Sequence, residues 1–427
     1  MAEPRMTTDA SAVPLPFRRE PTCPFDPSTE YKRLRGEDPV ISVPTPSGEQ
    51  VWLITRYADV RQVFSDNRRF VSRQPPVVLE RPPSGAGAGQ FSPGQVKGFF
   101  VNADGPEHAR YRQMLAPLFT VRHIGSMRSR IEQIVARQLD DLEQAGPATD
   151  LVEAFTQPIP GLVICELLGF PPGDRTHFHR LLARMEDLTL PHDQVRTAIT
   201  ELIVYVFDFV RKQRKAPGQG VIGELISRYS HELSDEELAG ISGMFLLAGY
   251  WPPANVLATG ILLLLRHPDQ LAMLRDDPEL STNAVEEVLR YLSIVNIGQP
   301  RTATEDVLVG GKLIKAGEYV MCSLASANRD ENFHDDGDRF DVTRKPSAHV
   351  AFGHGPHQCL GQQLARMVFR TAIPALARRY PHMQLAVPFG EIEFFAATPV
   401  HGIHSLPVTL GPSTETATSH NLHPDIR

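Results

Sequence analysis

Apolar positions recur along this chain at two spacings, and the helical one dominates. Val51 to Thr55 is a short β-branched and aromatic run that predicts the first clear strand and opens a small sheet. Tyr57 to Phe64 then reads as a short amphipathic helix. Helical periodicity returns from Arg122 to Glu143, and again from Pro158 to a stop at Gly169 and the prolines beyond it. Residues 174 to 190 and 193 to 215 predict two more helices parted by Pro191. The second ends in Arg211-Lys-Gln-Arg-Lys, the solvated end of a helix rather than a binding site.

The longest apolar stretch, Leu238 to Leu265, carries no charge and is long enough to span a bilayer. Ser234 and the acidic Asp235-Glu236-Glu237 start it as they would a soluble helix, and Asn255 lies within it. We therefore read it as the buried central helix of a soluble protein. Trp251-Pro252-Pro253 falls in its middle. Interior prolines withdraw the donors that the carbonyls of Ala248 and Gly249 would use, so a broken or kinked helix is expected. Between Gln74 and Gly94 the chain is too rich in proline and glycine to build a core, and reads as disordered or as a lid. Residues 1–30 read as an extended lead and 412–427 as a disordered tail, leaving 31–411 as one domain with no visible linker.

Composition narrows the class. The chain has 427 residues, 41% of them apolar and 22% charged, and a net charge of −7, an ordinary globular balance with no overall basic field for nucleic acid. The first eighteen residues lack the apolar core of a signal peptide. Cysteines 23, 165, 322 and 359 show neither CxxC nor zinc spacing, which favours free thiols and a reducing, cytoplasmic compartment.

Chemistry concentrates in Ala351-Phe-Gly-His-Gly-Pro-His-Gln-Cys-Leu-Gly361. Gly353, Gly355 and Gly361 let the backbone bend and approach a flat object, and Pro356 fixes one torsion. Helical periodicity follows through Leu360, Leu364, Met367 and Val368, so Cys359 is placed at a helix start, where free N–H groups favour a thiolate suited to holding a metal. Upstream, Asp104 is the expected cap of a helix that sets His108 and Arg112 on one face, within reach of a shared anion. Glu287 and Arg290, three apart, can pair on another helix.

Together these strings resemble the cytochrome P450 family, over about residues 30 to 410 and in the family's order. The resemblance implies a mainly α protein with a small β-sheet lobe, the cytochrome P450 fold, and a haem b whose iron takes the Cys359 thiolate as axial ligand. It implies haem contacts at Phe352 and Gly353, propionate contacts at His108, Arg112, Arg301 and His357, and a structural ion-pair motif at Glu287 and Arg290 with Arg339 or Arg344 as third member. Pocket-lining positions would include Val295, Ile297 and Phe395. Where the family carries Ala-Gly-x-Asp/Glu-Thr to relay protons, this chain reads Ala248-Gly249-Tyr250-Trp251-Pro252 and lacks both acid and alcohol.

The implied activity is a haem-thiolate monooxygenase or oxidase acting on a bulky secondary metabolite, peptide or polyketide. Proton delivery would be substrate-assisted, and decarboxylation, desaturation or coupling gain weight over plain hydroxylation. With no flavin or iron–sulfur motif, electrons would come from a separate ferredoxin and ferredoxin reductase, docking on a basic face of Arg110, Arg122, Arg128 and Arg366. The protein is expected to be a monomer that engages neither membrane nor nucleic acid. A non-catalytic partner or chaperone of a biosynthetic enzyme is the competing reading, which the altered central helix would permit.

Overall fold

The computed structural model describes residues 19–20, 23–45, 49–72, 96–186, 190–395 and 400–413. The expected lid at 74–94 and the tail from 414 onward lie outside the described residues. Helices dominate: α1 (Glu30–Glu37), α2 (Tyr57–Ser65), α3 (Gly105–Leu115), α4 (Val121–Ser126), α5 (Arg128–Ala145), α6 (Pro158–Leu168), α7 (Arg175–Glu186), α8 (His192–Lys215), α9 (Val221–Tyr229), α10 (Asp235–Leu265), α11 (Pro268–Asp276), α12 (Ser281–Leu292), α13 (Leu324–Ala327) and α14 (Gln362–Arg379).

Strands β1 (Arg19–Glu20) and β2 (Cys23–Pro27) pair antiparallel, so the segment read as a lead is folded into the domain from residue 19. A five-stranded sheet runs in the order β3 (Val40–Pro44), β4 (Gln50–Ile54), β10 (Tyr319–Cys322), β7 (Arg301–Ala303), β5 (Phe70–Val71). Its β10–β4 pair is parallel, joining the start of the chain to a segment more than 250 residues on. A three-stranded sheet combines β11 (Gln384–Leu385), β12 (Pro407–Thr409) and β6 (Ala148–Asp150), and β8 (Val307–Val309) with β9 (Lys312–Ile314) makes a separate hairpin. One large core cluster unites the helices, and smaller ones lie under the five-stranded sheet.

The helix at the centre is α10. Its start is a capping box, in which Glu237 N–H donates to Ser234 Oγ at 3.2 Å and Ser234 N–H to Glu237 Oε2 at 2.8 Å. It packs on α6, α8, α12 and α14, and 67% of its most apolar window is buried, as a core helix requires. The expected break does not occur, because α10 remains helical through Pro252 and Pro253. Two internal prolines cost about 6 kcal/mol together. Leu238, Leu246, Leu257, Leu262 and Leu263 are fully buried and return at least about 7 kcal/mol at the low end of side-chain burial. Tertiary packing therefore outweighs the local defect. Beyond it, Asn255 Nδ2 donates to the Trp251 carbonyl at 3.0 Å, adding a side-chain bond to the weakened turn.

Two further expectations change. The helix read from Arg122 to Glu143 is divided at Met127 into α4 and α5, with Thr120 Oγ1 capping α4 through the His123 N–H. At the far end Ser413 is buried and donates to Glu143 Oε1 at 2.9 Å, so docked chain extends past Pro412.

Candidate active site

The glycine-rich loop is built by its own backbone. Cys359 N–H donates to the Phe352 carbonyl at 2.9 Å, Gly353 N–H to Val350 at 2.8 Å and Gln358 N–H to Gly355 at 3.0 Å. Gly353 and Gly355 take φ of 70° and 72°, and a Cβ on Gly355 would sit 2.2 Å from the Phe64 carbonyl oxygen, so only glycine closes this turn. Cys359 lies just ahead of α14 and is exposed, whereas the rest of the loop is half-buried. Desolvation pushes its thiol pKa up; the N–H groups of Gly361 and Gln362 and the charges of Arg112 and Arg366 pull it down. Burial outweighs them and the thiol pKa is raised on balance, so those N–H groups and arginines would favour the thiolate only in part.

A complementary opening marks α10. Ala248 is exposed and Leu247, Gly249, Trp251, Pro252 and Pro253 are half-buried, while most of the helix on either side is buried. The Trp251 ring stacks on Phe395 with centroids 5.2 Å apart and planes 16° apart. Gly402 lets this aromatic pair close onto α10, since a Cβ there would lie 1.8 Å from Asn255 Oδ1.

Four of the residues singled out by sequence gather near the cysteine loop. His108 and His357 stack with ring centroids 3.9 Å apart. His357 Nε2 lies 3.4 Å from Asp104 Oδ1 and 3.2 Å from Ser72 Oγ. Asp104 occupies the cap position of α3 without capping it; its carboxylate faces His357 and accepts the Ser72 N–H at 2.7 Å. Arg112 donates to the Gln358 carbonyl at 3.1 Å, and Arg301, nearly fully buried, donates to the carbonyls of Gln299 and Pro300. Among the described residues neither guanidinium has a carboxylate at ion-pair distance. Burial holds the pKa values of all four groups down, His108 to about 4 with the charges of His357 and Arg112 adding to the effect. Two guanidinium groups without a carboxylate partner among the described residues, beside the stacked His108 and His357 and a presented thiol, fit a flat anionic prosthetic group such as haem.

Glu287 and Arg290 form a fully buried bidentate pair at 2.7 and 2.9 Å. The third member is Arg344, whose Nε lies 3.2 Å from Glu287 Oε1. Arg339 gives this cluster only its carbonyl, accepting from Arg290 and Arg344, because its own guanidinium turns out to Asp341 at 2.8 Å. Of the pocket positions, Val295 is half-buried and bridges Val400, and Phe395 meets Trp251. Ile297 is buried with Leu34, Val51, Leu53 and Met321 under the sheet.

Sequence reading missed Glu286. Its carboxylate receives Arg366 at 2.7 and 2.9 Å, Arg370 at 3.1 Å and His349 at 3.1 Å. Arg366, held this way, lies 4.6 Å over the Phe352 ring. Arg366 and Arg110, which pairs with Glu237 at 2.7 Å, are thus engaged within the fold, while Arg122 and Arg128 are exposed. The acidic doublet 286–287 was the available signal, but nothing in its spacing separates one glutamate's partners from the other's.

Comparison with known proteins agrees with this geometry. Residues 192–386 match the family model for cytochrome P450. The chain is 40% identical to cytochrome P450-SU2 of Streptomyces griseolus, over 96% of this chain and all of that one. It resembles the structure of the P450 StaH from glycopeptide antibiotic A47934 biosynthesis, with a TM-score of 0.81 and 42% identity over 90% of this chain and 97% of the other. It also resembles OxyE, a cytochrome P450 involved in teicoplanin biosynthesis, with a TM-score of 0.84 and 36% identity over 93% of this chain and all of that one. Thiol-presenting loop, buried basic cluster, helical architecture and near-full-length similarity lead to one conclusion: the chain belongs to the cytochrome P450 family of haem-thiolate monooxygenases.

Proposed function

We propose that this protein oxidises a bulky secondary metabolite of peptide or polyketide type, and that the substrate or ordered water supplies the protons that side chains provide elsewhere in the family. Haem, when bound, supplies the activation of oxygen. Cys359 would hold its iron, His108, Arg112, Arg301 and His357 its propionates, and Phe352 and Gly353 the loop face beside it. The two similar structures from glycopeptide antibiotic and teicoplanin biosynthesis support the substrate class.

The observation that carries the reading is the half-exposed middle of α10. Trp251 and Pro252 stand there in place of acid and alcohol, and neither has a group that exchanges protons near neutral pH. Pro252 and Pro253 cannot donate to the carbonyls of Ala248 and Gly249, which are left to orient water or a substrate hydroxyl. Trp251, stacked on Phe395, supplies a flat apolar wall and excludes bulk water from that side. Oxidations that need little proton delivery, such as decarboxylation, desaturation or ring coupling, suit this wall better than plain hydroxylation.

Electrons would arrive from a separate ferredoxin and ferredoxin reductase, with Arg122 and Arg128 the exposed part of the expected docking face. The test is turnover of a panel of natural-product precursors with those two proteins, followed by product mass spectrometry. Trp251→Glu with Pro252→Thr should fail to raise product yield and should waste more reductant. Faster, tightly coupled turnover by that variant would sink substrate assistance. Adding carbon monoxide to the reduced protein should give the thiolate-haem absorption band, lost in Cys359→Ser. A wild-type protein without the band would return the non-catalytic partner reading.

A further inference from the structure

Arg19 is one of the largest fully buried side chains, yet it comes from the segment that reads as an extended lead. Its Nη1 donates to the Phe25 carbonyl at 3.1 Å, which closes the β1–β2 hairpin. Its Nη2 reaches 273 residues along the chain to the carbonyls of Leu292 and Ser293, each at 3.1 Å, and also to Asn296 Oδ1. Those carbonyls are the C-terminus of α12, where Ser293 adopts a left-handed φ of 40°. A non-glycine residue holds that conformation at a cost, and the negative end of the helix dipole is there to be met by a cation. Among the described residues no carboxylate lies at ion-pair distance from Arg19, so the α12 end is its main electrostatic partner.

The turn it grips leads into the active-site wall. Between Tyr291 and Gly298 every residue is buried except Val295, which bridges Val400. On the other side of that bridge His401 N–H donates to the Ile294 carbonyl at 2.7 Å. The His401 ring stacks on Phe394, with planes 14° apart, and contacts the Pro24 backbone of the same hairpin. Phe394 is followed directly by Phe395, the partner of Trp251. One guanidinium thus ties the hairpin to the α12 terminus and Asn296, and the backbone between them joins the segment of Phe394, Phe395 and His401 through Ile294 and Val295.

We propose that Arg19 is a positioning residue for substrate selection: it caps α12 from outside that helix and thereby sets where Val295 and the Phe395–Trp251 wall stand relative to the haem site. The inference rests on the haem-site reading above, and its test separates the two. The hairpin has an independent staple, since Asp26 accepts from Arg329 and from the Tyr291 hydroxyl, both at 3.0 Å. Losing Arg19 therefore uncaps the α12 carbonyls while Asp26 still ties the hairpin to the Tyr291 side chain, and losing Asp26 loosens that tie while the carbonyls stay capped.

The experiment uses full-length holoprotein carrying Arg19→Met, Arg19→Lys or Asp26→Asn, titrated by absorbance with imidazole and with 4-phenylimidazole. Imidazole reports binding at the haem site alone, and 4-phenylimidazole adds a flat ring whose fit depends on the surrounding wall. Arg19→Met should change the ratio of the two dissociation constants by about threefold or more, the scale of coupling through packed neighbours. Arg19→Lys, which keeps the charge at the helix end, should restore part of it, and Asp26→Asn should leave the ratio as in wild type. An unchanged ratio in Arg19→Met, or an equal change in Asp26→Asn, would overturn the proposal. If Arg19→Met does not retain haem, Arg19→Gln is read by the same criterion. Failure of wild type to bind imidazole would reject the haem-site reading instead.

Discussion

At the scale of single residues, the chain separates groups that announce themselves from groups that only the fold reveals. Cys359, His108, Arg112 and His357 were legible because loop glycines and helical spacing surround them with recognisable context. Glu286 was not, since its partners His349, Arg366 and Arg370 lie 63 to 84 residues away and no local period connects them. The Arg339–Arg344 ambiguity has the same origin, because both arginines lie in irregular chain where side-chain direction cannot be inferred from spacing. Glu286 now carries a sharp expectation. Removing one member of a buried charge network strands the others, so Glu286→Ala should lower stability by about 3–5 kcal/mol in denaturant titration. Because Arg366 would then lose its hold above Phe352, the thiolate-haem carbon monoxide band should also decay faster than in wild type. A variant with wild-type stability and band lifetime would show that the four-way contact carries little energy.

Among elements, most helices could be read from periodicity and caps, and the misses have local causes. Met127 interrupts the pattern between α4 and α5 with only Gly125, two residues before it, as a local sign. The central helix was misjudged in the opposite sense: its prolines are conspicuous in sequence, but the burial that overrides them exists only once α6, α8, α12 and α14 are packed around it. Pro253→Ala tests this balance. It would give the Gly249 carbonyl its missing donor, and thermal and denaturant melts should show stabilisation of up to about 3 kcal/mol. A neutral or destabilising result would mean that the helix geometry around residue 253 has adapted to the ring.

For the whole molecule, composition and the order of motifs fixed the family, whereas the energetic links between distant segments were invisible. Buried titratable groups give the protein a definite acid response. Glu286 has its pKa held at about 2 against an ordinary 4.5; burial opposes this, and His349 and Arg366 overcome it. His334 is held at about 3 against 6.5 by burial, with Arg290 and Arg344 adding to it. In both cases the unfolded chain binds protons that the folded one refuses, so stability falls with pH. The glutamate's contribution is complete above about 4.5 and fades toward 2; the histidine's loss begins near 6.5 and continues to about 3. Melting temperature should therefore decline progressively as pH is lowered from 6.5 to 3. Substituting His334 by an uncharged residue of similar size should flatten the upper part of that decline.

The reach of Arg19 also has a meaning in time. Its acceptors at the end of α12 are made 273 residues later, which at ribosomal speeds is roughly 15–55 s. During that interval the hairpin can form, but the guanidinium has nowhere to go, and the first stretch of this domain to leave the ribosome is among the last to find its place. Trimming the chain beyond residue 18 would delete that closing step, whereas extending it upstream would leave the step intact. The beginning of the sequence thus acts as a latch on a structure that the rest of the chain must assemble first.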